Sequence, residues 1–270
     1  MKNVLLLVHD DGGQEARFQV ALDLGRALDG HISCVDVTPF PAEIGVGFPD
    51  GGVLMATVLA DEQQTARQNR AKLEERLRHE DVAWDWITAS GDYSSCLRGA
   101  AALADVLVVN CRIEGFEANS AHRTVSDLIV RSGKPIMAVP AHCERIELNS
   151  ALVAWDGSVQ SAAALRAAVP LLRIADRVTL FQANDGSIIS PASEAASYLS
   201  RHGVHALVRE VPSENAGAAG AILKEAVDGA YGYIVMGGFG HLRLMQSLFG
   251  GVTRTMLAHS PLPLLLAHER

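Results

Sequence analysis

The sequence predicts an α/β fold built as two tandem domains, each an open, five-stranded, mostly parallel sheet with flanking helices. Three observations predict it. Short apolar runs alternate with amphipathic stretches of helical period, the signature of strand–helix–strand units. The runs that read as strands are almost wholly apolar, as strands covered on both faces must be. The series of runs then starts again halfway along the 270 residues.

The first strand is expected at Asn3–His9 and an amphipathic helix at Gln14–Leu28. A second strand follows at His31–Val37, then a long charged helix at Thr57–His79. Val82–Thr88 reads as the third strand and Ser94–Leu103 as an Ala-rich helix. Asp105–Asn110 is the fourth strand. Thr124–Arg131 is a helix ended by Gly133, and Pro135–Val139 is the fifth strand. In the second series Ala151–Trp155 matches Leu5–His9, with Asp156 falling on Asp10. Val178–Ala183 matches Ile32–Val37 at the same offset. Tyr233–Gly238 matches Asp105–Asn110 and Leu262–Ala267 matches Lys134–Val139, both at a shorter offset. The change of offset marks an insertion in the first copy at Thr38–Ala56, a stretch rich in Pro and Gly. The expected domains are residues 1–143 and 148–270.

Hydrophobic residues make up 49% of the chain and charged residues 20%, so a packed core is expected rather than disorder. The net charge is −8 and no dense Lys/Arg run occurs, which argues against nucleic acid as a partner. The apolar run Val4–Val8 is too short for a signal peptide and ends in His9-Asp10-Asp11. No stretch approaches the roughly 20 apolar residues of a bilayer span. The expectation is a cytoplasmic protein with no membrane partner. Cys34, Cys96, Cys111 and Cys143 form no CxxC pair. Cys111, at a strand end, is the one with a position suited to a reactive thiol. The ten histidines show no HxH or HExxH spacing, so no metal site is expected beyond Mg2+ arriving with a ligand.

Two glycine clusters carry the chemistry. Met236-Gly237-Gly238-Phe239-Gly240 ends an apolar run, and Phe249-Gly250-Gly251-Val252-Thr253 precedes a helical stretch. Glycine lets backbone approach a bulky anion, and a helix N-terminus offers free N–H groups and a positive dipole to phosphate. Without a ligand the same glycines would serve as a tight turn and a helix start. Asp156 is as suited to capping the helix that begins near Ser158 as to meeting a ligand, and Ser158 and Ser161 read as cap and first-turn residues. Arg243, in the intervening loop, could neutralise phosphate charge. There is no G-x-x-x-x-G-K-[S/T], no G-x-G-x-x-G after Val8 or Val153, and no G-x-S-x-G.

On these residues the chain resembles a tandem universal stress protein. Ala154-Trp155-Asp156-Gly157-Ser158 resembles the family's first strand, which ends in Asp before a small-residue turn. Gly237-x-x-Gly240, nine residues, then Gly250 reproduces most of its G-x2-G-x9-G-[S/T] pattern. Pro263-Leu264-Leu265-Leu266 resembles its closing strand. The resemblance implies a Rossmann-like fold of the adenine nucleotide alpha-hydrolase type. It also implies ATP or another adenine nucleotide, with or without Mg2+, at the C-terminal ends of the strands. Asp156, Gly157 and Ser158 would lie near the adenine or ribose, and Gln182 and Ala183 at the adenine edge. Gly237, Gly240, Gly250, Gly251, Val252 and Thr253 would meet the ribose and phosphates. Gly251 stands where the family has Ser or Thr. A lost hydrogen bond to a charged group is worth roughly 1.5–3 kcal/mol. Thr253, two residues on, is a candidate substitute for the missing hydroxyl.

Aligned to this motif, the first copy has Val109, Arg112, His122 and Arg123, with no glycine, so no nucleotide is expected there. No residue reads as a base to activate water, so catalytic residues are none and hydrolysis is at most slow. The nucleotide then acts as a sensor input or structural ligand. A nucleotide-free interaction protein, and a small-metabolite binder using the first copy and its insertion, are the alternatives. Pairing of the two domains within the chain is expected; a further homodimer and the protein partner stay open.

Overall fold

The computed structural model describes residues 1–38, 51–112, 118–184, 186, 188–212, 217–239 and 251–269. Ten strands form one sheet. The first five are β1 (Asn3–Val8), β2 (His31–Thr38), β3 (Ala83–Ser90), β4 (Val106–Asn110) and β5 (Ile136–Val139). The second five are β6 (Ser150–Ala154), β7 (Arg177–Asn184), β8 (Ala206–Pro212), β9 (Tyr233–Gly237) and β10 (Leu264–Ala267). Their order is β3-β2-β1-β4-β5-β10-β9-β6-β7-β8. Every pairing within a group of five is parallel, and the groups meet through one antiparallel pair, β5 with β10. The sheet is thus α/β and mostly parallel, as the apolar runs predict, and its halves share one topology.

Helices cover both faces because both faces are apolar. Alternate residues of each strand enter two separate cores. One face carries α1 (Gln14–Leu28), α2 (Gly51–Leu77), α5 (Val159–Leu172) and α6 (Ala192–Arg201), which bury Phe18, Leu73, Leu165 and Leu199. The other carries α3 (Tyr93–Ala100), α4 (Ala118–Arg131), α7 (Gly217–Asp228) and α8 (Val252–His259), which bury Leu97, Ile129, Ile222 and Met256. A single 3-10 turn, Ala101–Leu103, extends α3, so the expected helix Ser94–Leu103 is two segments. The long charged helix begins at Gly51, earlier than the expected Thr57. At 27 residues it faces a counterpart, α6, of 10, so the extra length of the first copy includes helix. The rest of the insertion, 39–50, lies outside the described residues.

In such sheets ligands bind beyond the C-terminal strand ends where the strand order reverses. That happens twice here, between β1 and β4 and between β6 and β9.

Candidate functional site

At the β6–β9 reversal the chain leaves β6 through Trp155 and turns at Asp156-Gly157-Ser158. Asp156 Oδ1 accepts the Ser158 amide at 2.9 Å, a local turn that brings the chain into α5. Ser158 is the helix cap, its Oγ accepting the Ser161 amide at 3.1 Å. The capping role that either residue could fill thus belongs to Ser158, and Asp156 remains an exposed carboxylate beside the crevice. Gly157 has φ +77, and a Cβ there would stand 2.1 Å from the Ser190 amide nitrogen. Trp155 Nε1 donates to Ser190 O at 2.9 Å and the Ile189 amide to Asp156 O at 2.8 Å. The segment after β7 is therefore seated on this turn, and only glycine fits beneath it.

Gln182, at the end of β7, is buried and committed. Its Oε1 accepts the Ala192 amide at 2.9 Å and its Nε2 donates to Asn184 Oδ1 at 2.7 Å, which fixes the start of α6. Ala183 is buried in the core beside it. A Cβ on Gly237 would meet the Ser161 nitrogen at 2.7 Å, so the packing of α5 on β9 already demands glycine there. Past it, Gly238 donates its amide to Ala267 O at 2.9 Å, and Phe239 takes a left-handed φ of 52°. Gly240, Arg243 and Gly250 lie outside the described residues.

The chain re-enters at Gly251, the cap of α8, with extended backbone and, among the described residues, no atom within 4 Å of where a Cβ would point. No side chain caps this helix. The first amides of a helix lack intrahelical acceptors, so Val252 and Thr253 offer donors at this end. Thr253 is buried, and its Oγ1 accepts the Phe239 amide at 3.1 Å. It ties together the two ends of the glycine segment; it does not stand free as a second Ser/Thr.

The β1–β4 reversal is built differently. Arg17 is 0% exposed and lies across the C-terminal ends of both strands. Its Nε donates to Leu7 O at 2.7 Å, NH1 to Asp11 Oδ1 at 2.7 Å and to Asn110 Oδ1, and NH2 to His9 O. Asn110 Nδ2 donates in turn to Gly13 O at 3.1 Å and Val139 O at 3.2 Å. Asp11 Oδ2 is buried without a hydrogen-bond partner. Burial holds the nearby His9 below its ordinary pKa, and it pushes the Asp36 carboxyl, at the end of β2, up to about 6.

The strand registers correct two alignments made by counting. Val4 pairs with Val106 and Ala151 with Tyr233, so Gly237 corresponds to Asn110, not Val109. Likewise it is Asp11, not Asp10, that plays the part of Asp156, its Oδ1 accepting the Gly13 amide at 2.9 Å. Arg17 lies four residues past the cap of α1, where α5 has Ala162. Asp36 occupies the position of Gln182, since Val4 pairs with Ile32 and Ala151 with Val178. Cys111 is buried, and burial pushes its thiol up to about 12, which removes it as a reactive nucleophile. Among the described residues no group of three His, Cys, Asp or Glu side chains could hold a metal ion, and no helix is long and apolar enough to cross a membrane.

No family model matches the chain, and no curated protein matches it in sequence. Solved structures do resemble it. A universal stress protein from Archaeoglobus fulgidus is similar with a TM-score of 0.76, over 98% of this chain and 97% of its own, at 15% identity. A functionally unknown protein from Pseudomonas aeruginosa is similar with a TM-score of 0.58, over 98% of this chain and 92% of its own, at 13% identity. Along its whole length the chain has the universal stress protein fold.

Proposed function

We propose that this chain is a tandem universal stress protein that binds one adenine nucleotide, ATP by preference, at the β6–β9 reversal. The observation that carries the reading is the contrast between two crevices of one topology. Arg17 and Asn110 fill the first, while Ala162 and Gly237 occupy the same positions in the second. The donor set suits a nucleotide. The space that the described residues leave at Gly251 and the first amides of α8 suit phosphate oxygens. The exposed carboxylate of Asp156 suits a ribose hydroxyl or base amine.

In this reading residues 1–143 and 148–270 are two domains, and the second alone takes ligand. Asp156, Gly157 and Ser158 border the sugar and base, with Gln182 and Ala183 at the base edge. Gly237, Gly251 and the amides of Val252 and Thr253 would meet the phosphates, and Gly240, Arg243 and Gly250, outside the described residues, are expected to join them. When bound, Mg2+ would supply charge neutralisation at the phosphates. The bound nucleotide is read as a sensor input or structural ligand in the cytoplasm, with hydrolysis at most slow. Such a ligand stabilises the fold by mass action.

The test is to denature the purified chain, identify any released nucleotide, and titrate the emptied protein with ATP-Mg. Released nucleotide or saturable binding supports the reading. No binding at millimolar ATP overturns it and leaves a nucleotide-free interaction protein. Gly240→Val should abolish binding while the melting temperature of the empty protein is kept.

A further inference from the structure

We propose that His268 is a positioning residue for nucleotide binding, acting through the backbone of Gly238 and Phe239; this rests on the reading above. His268 follows β10 and is buried. Its Nδ1 lies 2.8 Å from Gly238 O. A carbonyl only accepts, so the ring proton is on Nδ1, and Nε2 is left buried with no partner among the described residues. A histidine held by one bond, with its other nitrogen unsatisfied, is an expensive way to fill a core. The bond has to serve something that an apolar side chain could not supply.

What it serves is visible by comparison with the other half. Both halves tie the residue past the fourth strand to the last strand by the same bond. The Gly238 amide donates to Ala267 O at 2.9 Å, and the Cys111 amide donates to Val139 O at 2.9 Å. That bond is common to the fold. The residue after Val139 is Pro140, which has no side-chain donor, so the first half has no counterpart to the histidine bond. Only the second half fixes the Gly238 carbonyl as well. That half also places a non-glycine residue, Phe239, at φ 52°. Such a conformation persists only where its surroundings determine it. Here His268 holds the peptide before it and Thr253 Oγ1 accepts its amide at 3.1 Å. On the far side Ile129 of α4 leaves no room for a Cβ on Gly238, approaching to 2.5 Å. The chain leaving β9 is therefore aimed by three restraints, in the half whose crevice is open. Arg17 makes such aiming unnecessary in the other half.

Calorimetric titration of the full chain with ATP-Mg tests this. His268→Ala should weaken binding about ten-fold, the worth of one lost backbone hydrogen bond. His268→Asn, whose side-chain amide stands in for Nδ1–H, should return affinity to within about three-fold of the parent. Phe239→Gly removes the left-handed strain together with a half-buried ring that packs against the core. Relieved strain and lost ring contacts oppose each other, so the melting temperature of the empty protein should move by only a few degrees, while ATP binding weakens about three-fold through lost preorganisation. This variant decides the matter even if His268→Ala fails to fold. Unchanged ATP affinity in Phe239→Gly and His268→Ala, or in Phe239→Gly alone if the other is unfolded, overturns the proposal and leaves the functional reading intact. Failure of the parent chain to bind ATP at all overturns both.

Discussion

The two halves of the molecule share a strand order, and three of four matched positions around the reversal of that order differ. Arg17, Asn110, Asp36 and Asp11 stand in the first where Ala162, Gly237, Gln182 and Asp156 stand in the second. In the first half the guanidinium takes four acceptors that lie at the strand ends. A protein cation thereby sits at the reversal, where the second half leaves backbone amides and a carboxylate. The glycines have moved as well. Gly13 makes room for the Asn110 side chain, with a would-be Cβ 2.6 Å from it, whereas Gly237 makes room for the backbone of α5. The same strand-to-helix contact is closed from the strand in one half and from the helix in the other. The comparison teaches that a fold can keep its packing whether a side chain or a helix backbone fills the space at the reversal.

The largest expected effect comes from breaking the internal cluster. Arg17→Ala leaves Asp11 buried and unpaired, and should cost about 3–5 kcal/mol, read as a fall in the denaturation midpoint. Replacing both partners, Arg17→Met with Asp11→Leu, should recover most of it, because the loss arises from a stranded charge rather than from missing attraction. Ala162→Gly, at the matched position, should cost only about 1 kcal/mol, the helix propensity difference.

Next in size is Gly157→Ala, where the left-handed backbone and the Ser190 amide both oppose a Cβ. The expected cost is about 2–4 kcal/mol of stability, measured by chemical denaturation. Full stability in this variant would mean that the segment after β7 is not seated on the turn.

Asp36 gives a pH test of the same comparison. Burial pushes its folded carboxyl up to about 6, above the ordinary carboxylate range. The folded state therefore binds the proton more tightly, and this group's contribution to stability improves as pH falls from 6 toward 4. Asp36→Asn should raise stability at pH 7 by about 2 kcal/mol and leave it little changed at pH 4, seen in melting temperatures at both. Glu15 works in the opposite direction at lower pH. Its hydrogen bonds to Arg76 hold its carboxyl down to about 2, and the stability it adds is lost as pH falls from 4.5 toward 2.

The smallest stability effect belongs to the most informative binding variant. Gly251→Ser meets no atom of the described residues within 4 Å and has an ordinary φ of −63°. Its hydroxyl should change stability by only a few tenths of a kcal/mol, since Gly and Ser are both accepted caps. It should tighten ATP binding about ten-fold by supplying a hydrogen bond to a charged oxygen. Equal affinity in the two proteins would mean that phosphate does not approach α8.

Much of the fold is legible in the sequence because its strands are continuous apolar runs. Gln14–Leu28 has the expected bounds, and β1, β2 and β4 end within one residue of theirs. β8 escapes because it is an edge strand. Arg209, Glu210 and Pro212 break its apolar character where solvent replaces a neighbour. The one-residue error at Asp11 has a physical cause. Sequence offset is constant only while loops are equal in length, and the turn between β1 and α1 is longer than that between β6 and α5. Arg17 was not legible as a buried residue at all. An arginine in an amphipathic helix reads as solvent-facing, and its acceptors Leu7 O and His9 O are carbonyls that no side-chain pattern reports. Likewise the engagement of Thr253 with Phe239 depends on two residues fourteen apart meeting across a loop.

The antiparallel pair β5–β10 gives the first half a task that does not depend on any ligand. Without it, Leu264-Leu265-Leu266 would form the bare margin of a five-stranded sheet, an apolar template for any passing strand. With it, that margin is sealed by a segment of the same chain, tethered through residues 140–149, so dilution does not strip it away. The first half, whose crevice Arg17 fills, thereby also guards that margin against aggregation. Selection can then relax on its chemistry while still holding Ile136, Met137 and Ala138 in register.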